Sequence, residues 1–217
     1  MYETIKGDER MITIQHLNEV FQIINGEHAD PHRILGMHEV EEKGKHFLVV
    51  RAFIPGARSI TVVDAATRKK KYPMKRIHED GFFEVVIAER AEWFRYRLEC
   101  SDEVGNSWHM YDPYSFSPTV TEYDRYLFGA GTHYRIYEKL GAHLMTFEGA
   151  RGVAFAVWAP NAKSVSVIGS FNGWNTRRHP MRLLGTSGIW ELFIPGLAAL
   201  DQYKFHIVQS TGHQVDK

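Results

Sequence analysis

The chain of 217 residues holds one cysteine, Cys100, so it can form no disulfide within itself and suits a reducing compartment. It also lacks any excess of charge. Lys+Arg and Asp+Glu stand at 26 each, which removes the electrostatic ground for a nucleic-acid or other polyanion partner. The one basic run, Lys69-Lys70-Lys71, reads as a solvated turn. No apolar run is long enough to span a membrane, and the N-terminus has no signal-peptide core. A soluble, cytoplasmic protein with no membrane partner is therefore expected. Metal-ligand spacing is missing as well. His28 and His32 are four apart, but Pro31 between them excludes a continuous helix that would present both rings on one face. No metal and no cofactor is expected. Nor is there a nucleophile elbow, a phosphate loop or triad spacing.

What the chain does contain is one module written twice. Leu35-Gly36-Met37-His38 returns as Leu140-Gly141-Ala142-His143, and Val49-Val50-Arg51-Ala52-Phe53-Ile54-Pro55 as Ala154-Phe155-Ala156-Val157-Trp158-Ala159-Pro160. Further on, Pro73-Met74 returns as Pro180-Met181, Gly81-Phe82-Phe83-Glu84-Val85 as Gly188-Ile189-Trp190-Glu191-Leu192, and Tyr96-Arg97-Leu98 as Tyr203-Lys204-Phe205. The second copy gains two residues after the position of Asp64, where it reads Gly169-Ser170-Phe171-Asn172-Gly173-Trp174-Asn175. One scaffold used twice with one loop diversified places function in that loop.

Residues 13–25 carry the only clear helical period, with Ile14, Leu17, Val20, Phe21 and Ile24 on one face, Thr13 or Asn18 as cap and Gly26 as stop. From there the period is two. Short alternating runs punctuated by Pro55-Gly56, Asp80-Gly81 and Gly105-Asn106 predict an all-β chain of β-sandwich form. Cys100 falls in such a run as a small core residue. Asp102 and Glu103 sit in what the repeat makes a hairpin turn, so they form no catalytic pair. Residues 113–137 hold seven aromatics and no clean period, which predicts a packed connector that fixes the two modules against each other.

Trp174 follows an Asn-Gly turn signal, an unusual place for so apolar a group. A sugar ring has a C–H face that stacks on indole, and Asn172, Asn175 and Lys204 could bond its hydroxyls. The alternative is that Trp174 folds back over the sandwich edge as protein-contact surface. Trp158 and Trp190 lie in alternating patterns and read as core or inter-module packing. His38 and His143 are repeat-equivalent, which suggests a shared structural role such as bonding a turn carbonyl.

These residues also carry a resemblance. Asn25-Gly26-Glu27-His28-Ala29-Asp30-Pro31-His32 with Leu35-Gly36-Met37-His38, and then Tyr126-Leu127-Phe128-Gly129-Ala130-Gly131-Thr132-His133, resemble the N-terminal part of bacterial 1,4-α-glucan (glycogen) branching enzymes. The run from Phe155 to Ala162, with Phe171-Asn172-Gly173-Trp174 and His179-Pro180-Met181, is similar to family 48 carbohydrate-binding modules. The resemblance implies two tandem immunoglobulin-like β-sandwich modules with a short N-terminal helix. Its segments would be an extension and helix over 1–25, a first module over 26–117, a connector over 118–136 and a carbohydrate-binding module over 137–217. It implies α-glucan partners, glycogen and maltooligosaccharides, and a catalytic barrel that this sequence does not hold, so the chain alone is expected to be inactive. The second copy's counterpart of Asp112-Pro113 would begin just beyond Lys217. That leads to the expectation of a fragment whose last strand is poorly closed. Glycan-binding relatives have a second tryptophan where Ser210-Thr211-Gly212-His213-Gln214 stands, while the first copy has Trp108 in roughly that place. Trp108 is thus a fifth candidate, and a single stacking aromatic implies weak, millimolar binding. A stand-alone glycogen-binding adaptor and purely structural modules packed on the barrel are the rival functions.

Overall fold

The computed structural model describes residues 17–42 and 44–217. In chain order these form helix α1 (Leu17–Asn25), strands β1 (Gly36–Glu42), β2 (Lys45–Phe53), β3 (Ser59–Asp64), β4 (Lys71–Pro73), β5 (Lys75–His78), β6 (Phe82–Ile87), β7 (Tyr96–Ser101) and β8 (Ser107–Met110), and then helix α2 (Glu122–Gly129). The second half holds β9 (Gly141–Phe147), β10 (Ala150–Trp158), β11 (Ala162–Gly169), β12 (Arg182–Leu183), β13 (Ile189–Pro195), β14 (Tyr203–Gln209) and β15 (Gln214–Asp216). The chain is all-β apart from two short helices, as its period of two dictates.

The strands pair antiparallel in four sheets. The first copy supplies β1-β2-β6-β5 and β4-β3-β7-β8, and the second supplies β12-β13-β10-β9 and β11-β14-β15. Leu48, Val50, Phe83 and Ile87 of one first-copy sheet share a core with Ile60, Val62, Leu98 and Cys100 of the other. Cys100 is 1% exposed, and burial pushes its thiol up to about 12, so it serves as a small apolar core residue. Phe155, Trp190 and Leu192 likewise meet Val165, Val167 and Phe205 across the second pair. The duplication survives to the level of single pairs. Strand β4 opposes β3 through Thr61↔Pro73, and the second copy keeps only the equivalent bridge, Ser166↔Pro180. His38 and His143 bond the carbonyls of Leu35 and Leu140, each at 2.9 Å. The last strand is not open as expected: β14 is paired to β11 on one side and to β15 on the other.

Helix α1 differs from its expected face. Thr13 and Ile14 lie outside the described residues, and Asn18 sits within the helix rather than capping it. Val20, Ile23 and Ile24 are buried, whereas Leu17 is 67% and Phe21 49% exposed. The stripe is rotated because the helix docks between the modules rather than on one sheet. Its apolar face joins Phe53, Phe82 and Leu35 of the first copy and Met181 and Val153 of the second in one cluster. Phe21 instead meets His78 edge-on at 5.7 Å. Beyond the helix, Leu183 N–H donates to the Ala29 carbonyl at 2.8 Å, so the N-terminal segment is bonded to the second module.

The connector is pinned by polar groups more than by its aromatics. Thr121 and Asp124 form a capping box at the start of α2. Asp124 also meets His133 at 2.9 Å and Lys139 at 3.2 Å. Although burial opposes it, hydrogen bonds from His133 and Thr121 hold this carboxyl well below the usual range. Of the seven aromatics, Tyr114 and Phe116 are buried, Phe128 packs on a small cluster, and Tyr123, Tyr126, Tyr134 and Tyr137 are exposed. Tyr114 is the inter-module wedge. Its hydroxyl donates to the Pro180 carbonyl at 3.3 Å, and its own carbonyl lies where a Cβ at Gly36 would fall, 2.6 Å away.

The helix face can be checked directly. Ile23 is wholly buried, so Ile23→Ala is expected to cost about 2–5 kcal/mol. Leu17→Ala, on the exposed side, should stay within about 0.5 kcal/mol. Urea unfolding midpoints of the two variants give the answer. Equal losses would place the helix elsewhere.

Candidate functional site

The diversified loop leaves β11 at Gly169 and makes a 3₁₀ turn over Ser170–Asn172. Gly169 is there for space: a Cβ would come within 2.3 Å of the Gln202 carbonyl. Phe171 lies against the second core, near Phe155 and His179. Asn172 is 3% exposed and spends its amide inside the turn. Its Oδ1 accepts from Gly169 N–H at 3.0 Å, and its Nδ2 donates to the Val167 carbonyl at 2.9 Å and to His179 Nδ1 at 2.8 Å. The expectation that Asn172 bonds sugar hydroxyls is therefore corrected. It is the internal clamp of the turn.

That clamp fixes the chemistry of His179. Because Nδ1 accepts from Asn172, the ring is neutral with its proton on Nε2. Burial, and after it the Arg178 charge, hold its pKa down to about 4. Past the clamp, Gly173 and Trp174 both take positive φ, +66° and +58°. Trp174 N–H donates to the Gly169 carbonyl at 2.9 Å, and the indole stands 44% exposed at the tip. Asn175 Oδ1 accepts from Arg177 N–H at 2.9 Å, which closes the loop. Lys204 is exposed on β14 opposite Ile168, next to the Gly169↔Tyr203 pair where the turn begins.

Trp108 is elsewhere. It lies half-buried on β8 opposite Cys100, and it lines a cleft of about 240 Å³ at the seam with Phe171, Arg178 and His179 of the second module. The structure thus brings Trp108 to the base of the turn and leaves Trp174 out at the tip. Trp190 is core, 1% exposed, as its pattern predicts. Trp158 is not: it is 54% exposed at the end of β10 and touches Phe128 of the connector edge-on.

Sequence reasoning passed over Arg177 and Arg178. Arg177 reaches the Ile24 carbonyl at 3.5 Å and Asp80 at 3.5 Å, and Arg178 donates to the Pro55 carbonyl at 3.0 Å. Two consecutive arginines directly after the diversified turn were the available signal. Both tie the loop to the N-terminal half. Among the described residues no cluster of His, Cys, Asp or Glu could hold a metal, and no helix is long and apolar enough to cross a membrane.

Comparison with known proteins follows this division. Residues 16–114 match the family model of the N-terminal domain of alpha-1,4-glucan branching enzyme GlgB, and residues 139–217 match carbohydrate-binding module 48, the isoamylase N-terminal domain. The chain is 46% identical over 200 residues to 1,4-alpha-glucan branching enzyme GlgB of Thermosynechococcus vestitus, covering 92% of this chain and 26% of that protein. It is 46% identical over 196 residues to the enzyme of the same name from Rhodopseudomonas palustris strain BisA53, covering 90% of this chain and 26% of that one. The chain therefore spans about a quarter of the length of these curated relatives. Among solved structures, a pullulanase from Anoxybacillus sp. LM18-11 aligns with a TM-score of 0.30 at 14% identity, covering 83% of this chain and 25% of that chain. PulA from Klebsiella pneumoniae aligns at 0.32 and 14%, covering 78% of this chain and 18% of that one.

The His179 clamp makes stability depend on pH. The folded chain prefers the neutral ring, so this contribution is fully present above about pH 6.5 and is lost as pH falls from there toward about 4, up to about 3 kcal/mol in all. Urea unfolding at pH 7 and pH 4, compared with His179→Phe, should show the wild type losing more. An imidazole that titrates by NMR at or above 6.5 would contradict the clamp.

Proposed function

We propose that this chain, which matches the N-terminal domain and carbohydrate-binding module 48 models in turn, is the α-glucan-binding, non-catalytic front portion of a 1,4-alpha-glucan branching enzyme. In the longer protein a catalytic barrel follows. It cleaves an α-1,4 link, holds the chain on a carboxylate and passes it to a 6-hydroxyl, forming the α-1,6 branches of glycogen in the cytoplasm. The two modules are immunoglobulin-like sandwiches over residues 26–117 and 137–217, joined by a connector over 118–136.

Trp174 carries the reading. A bulky residue at φ +58° occupies a backbone region that costs about 1–3 kcal/mol, and such strain clusters at ligand-binding positions. The clamp closes the turn before it, the indole is presented at a tip, and Asn175, next in the loop, and the exposed Lys204 on β14 are the polar candidates for hydroxyls. Trp108 contributes less to the grip on glycogen because it sits on the other module. One observation favours the rival structural role: Arg177 and Arg178 bond the same loop to Asp80 and Pro55.

A single pair of variants separates the two. Trp174→Ala should weaken retention of the chain in glycogen-containing gels at least about fivefold, the scale of one lost stacking contact of about 1–3 kcal/mol in nucleic-acid binding, while the melting temperature holds. Trp108→Ala should weaken it less. Unchanged retention in Trp174→Ala would mean that the loop is a seam element and that the structural role holds.

A further inference from the structure

The cleft at the seam exists only because the two copies face each other. Pro55, Trp108 and Tyr111 of the first copy form one wall, and Phe171, Arg178 and His179 of the second form the other. At about 240 Å³ it is smaller than the roughly 300–1,000 Å³ of sites that engulf drug-sized ligands, so it has room for a ring but not for a chain. Trp108, Tyr111 and Phe171 are each only half-buried, so their aromatic surfaces line a space that solvent reaches.

Three side chains there carry N–H donors. His179 carries its proton on Nε2, because Nδ1 is taken by Asn172. Trp108 offers its indole N–H. Arg178 uses one amino group on the Pro55 carbonyl and has its remaining N–H groups to give. Tyr111 already accepts from Arg97. Asp112 lies in the same lining, buried and engaged by the Tyr96 hydroxyl at 2.5 Å and by Tyr114 N–H at 2.9 Å. Its carboxyl sets an anion at a disadvantage there. A ligand that suits this lining is neutral, has an apolar ring face and presents oxygens that accept.

We propose that the seam cleft holds the terminal glucosyl residue of an α-glucan chain, stacked on Trp108 and bonded by Arg178 and His179. The proposal rests on the reading of the chain as glucan-binding and adds a second, chemically distinct contact. Trp174 stands on an open tip that can lie along the interior of a glucan, whereas the cleft, at about 240 Å³, takes a single ring. It also makes the packing of the two copies a requirement for binding, since neither copy alone supplies both walls.

Maltose, which is nearly all chain end, is the probe. Titrated into the 217-residue chain, it should shift the indole N–H resonance of Trp108 and leave that of Trp174 in place. Trp108→Ala and Arg178→Gln should each raise the maltose Kd about fivefold or more, and Trp174→Ala less than about twofold. Arg178 is exposed, so Arg178→Gln tests the cleft without risk to the core should Trp108→Ala fail to fold. Maltose that shifts Trp174 alone, or binds both cleft variants as it binds the wild type, overturns the proposal. If maltose does not bind but glycogen retention depends on Trp174, the cleft proposal fails and the glucan-binding reading stands. If neither sugar engages either tryptophan, both fail.

Discussion

Everything in the second half hangs on a carboxylate with no access to water. Glu191, in the middle of β13, is 0% exposed. An ion that deep costs several kcal/mol unless it is paired and its remaining lone pairs are bonded. Arg182 Nε on β12 donates to it at 2.9 Å, and Thr119 of the connector donates from its backbone N–H at 3.2 Å and its hydroxyl at 2.9 Å. One side chain thereby joins the sheet centre, a two-residue edge strand and the segment between the modules. The chain of contacts continues. Leu183, next to Arg182, bonds Ala29, and the Arg182 charge adds to burial in keeping His32 neutral. N-terminal segment, connector and second module are thus held in one frame around a charge that none of them could tolerate alone.

The first copy has the same constraint solved from the other side. Glu84, 3% exposed on β6, is the repeat-equivalent of Glu191. It takes its cation from Arg51 on the neighbouring β2, at 2.7 Å, where the second copy has Ala156. The second copy takes its cation from Arg182 on β12, whose equivalent in the first is Lys75 on β5. Electrostatics demand that a buried carboxylate be met. They do not demand that the partner come from a given strand: an arginine on the central strand meets Glu84, and one on the edge strand meets Glu191. This is why the repeat was so informative about fold. Strand starts at Gly36, Lys45, Phe82 and Tyr96 recur at Gly141, Ala150, Ile189 and Tyr203, because the backbone pattern is what the two halves share.

What could not be read from the sequence lies at the seam, where neighbours come from far along the chain. Periodicity places Leu17 and Phe21 on the apolar face of α1 but does not say that the helix meets two modules at once, which rotates the buried stripe to Val20, Ile23 and Ile24. Alternation puts Trp158 inside, yet it closes β10 at the connector edge and stays exposed. Asn172 looked like a ligand-binding amide because it neighbours an exposed indole. Only the fold shows that Gly169 N–H takes the oxygen end of the amide while Val167 and His179 take the nitrogen end. The cleft beside Trp108 combines residues more than sixty positions apart and has no local signature at all. Trp174 itself was legible, since a turn signal followed by a large aromatic in the one diversified loop is a local pattern.

The strain at Trp174 bears on why an indole stands there. In the turn this residue contributes only its backbone N–H, bonded to the Gly169 carbonyl. Glycine would supply the same bond and take φ +58° at no steric cost. No ring pairs with Trp174 among the described residues, and it joins none of the buried clusters, while Phe171, three residues earlier, does the packing for the loop. The indole stands 44% exposed, and it carries a backbone cost that glycine would avoid. On the glucan-binding reading proposed above, that cost is offset by contacts made outside the folded chain. Under that reading, a half-exposed aromatic face is what the C–H face of a sugar ring would stack on. The Asn172–His179 clamp would then have a purpose beyond stability. By holding the strained backbone in place it would orient the stacking face before any ligand arrives, leaving little ordering entropy to be lost on binding.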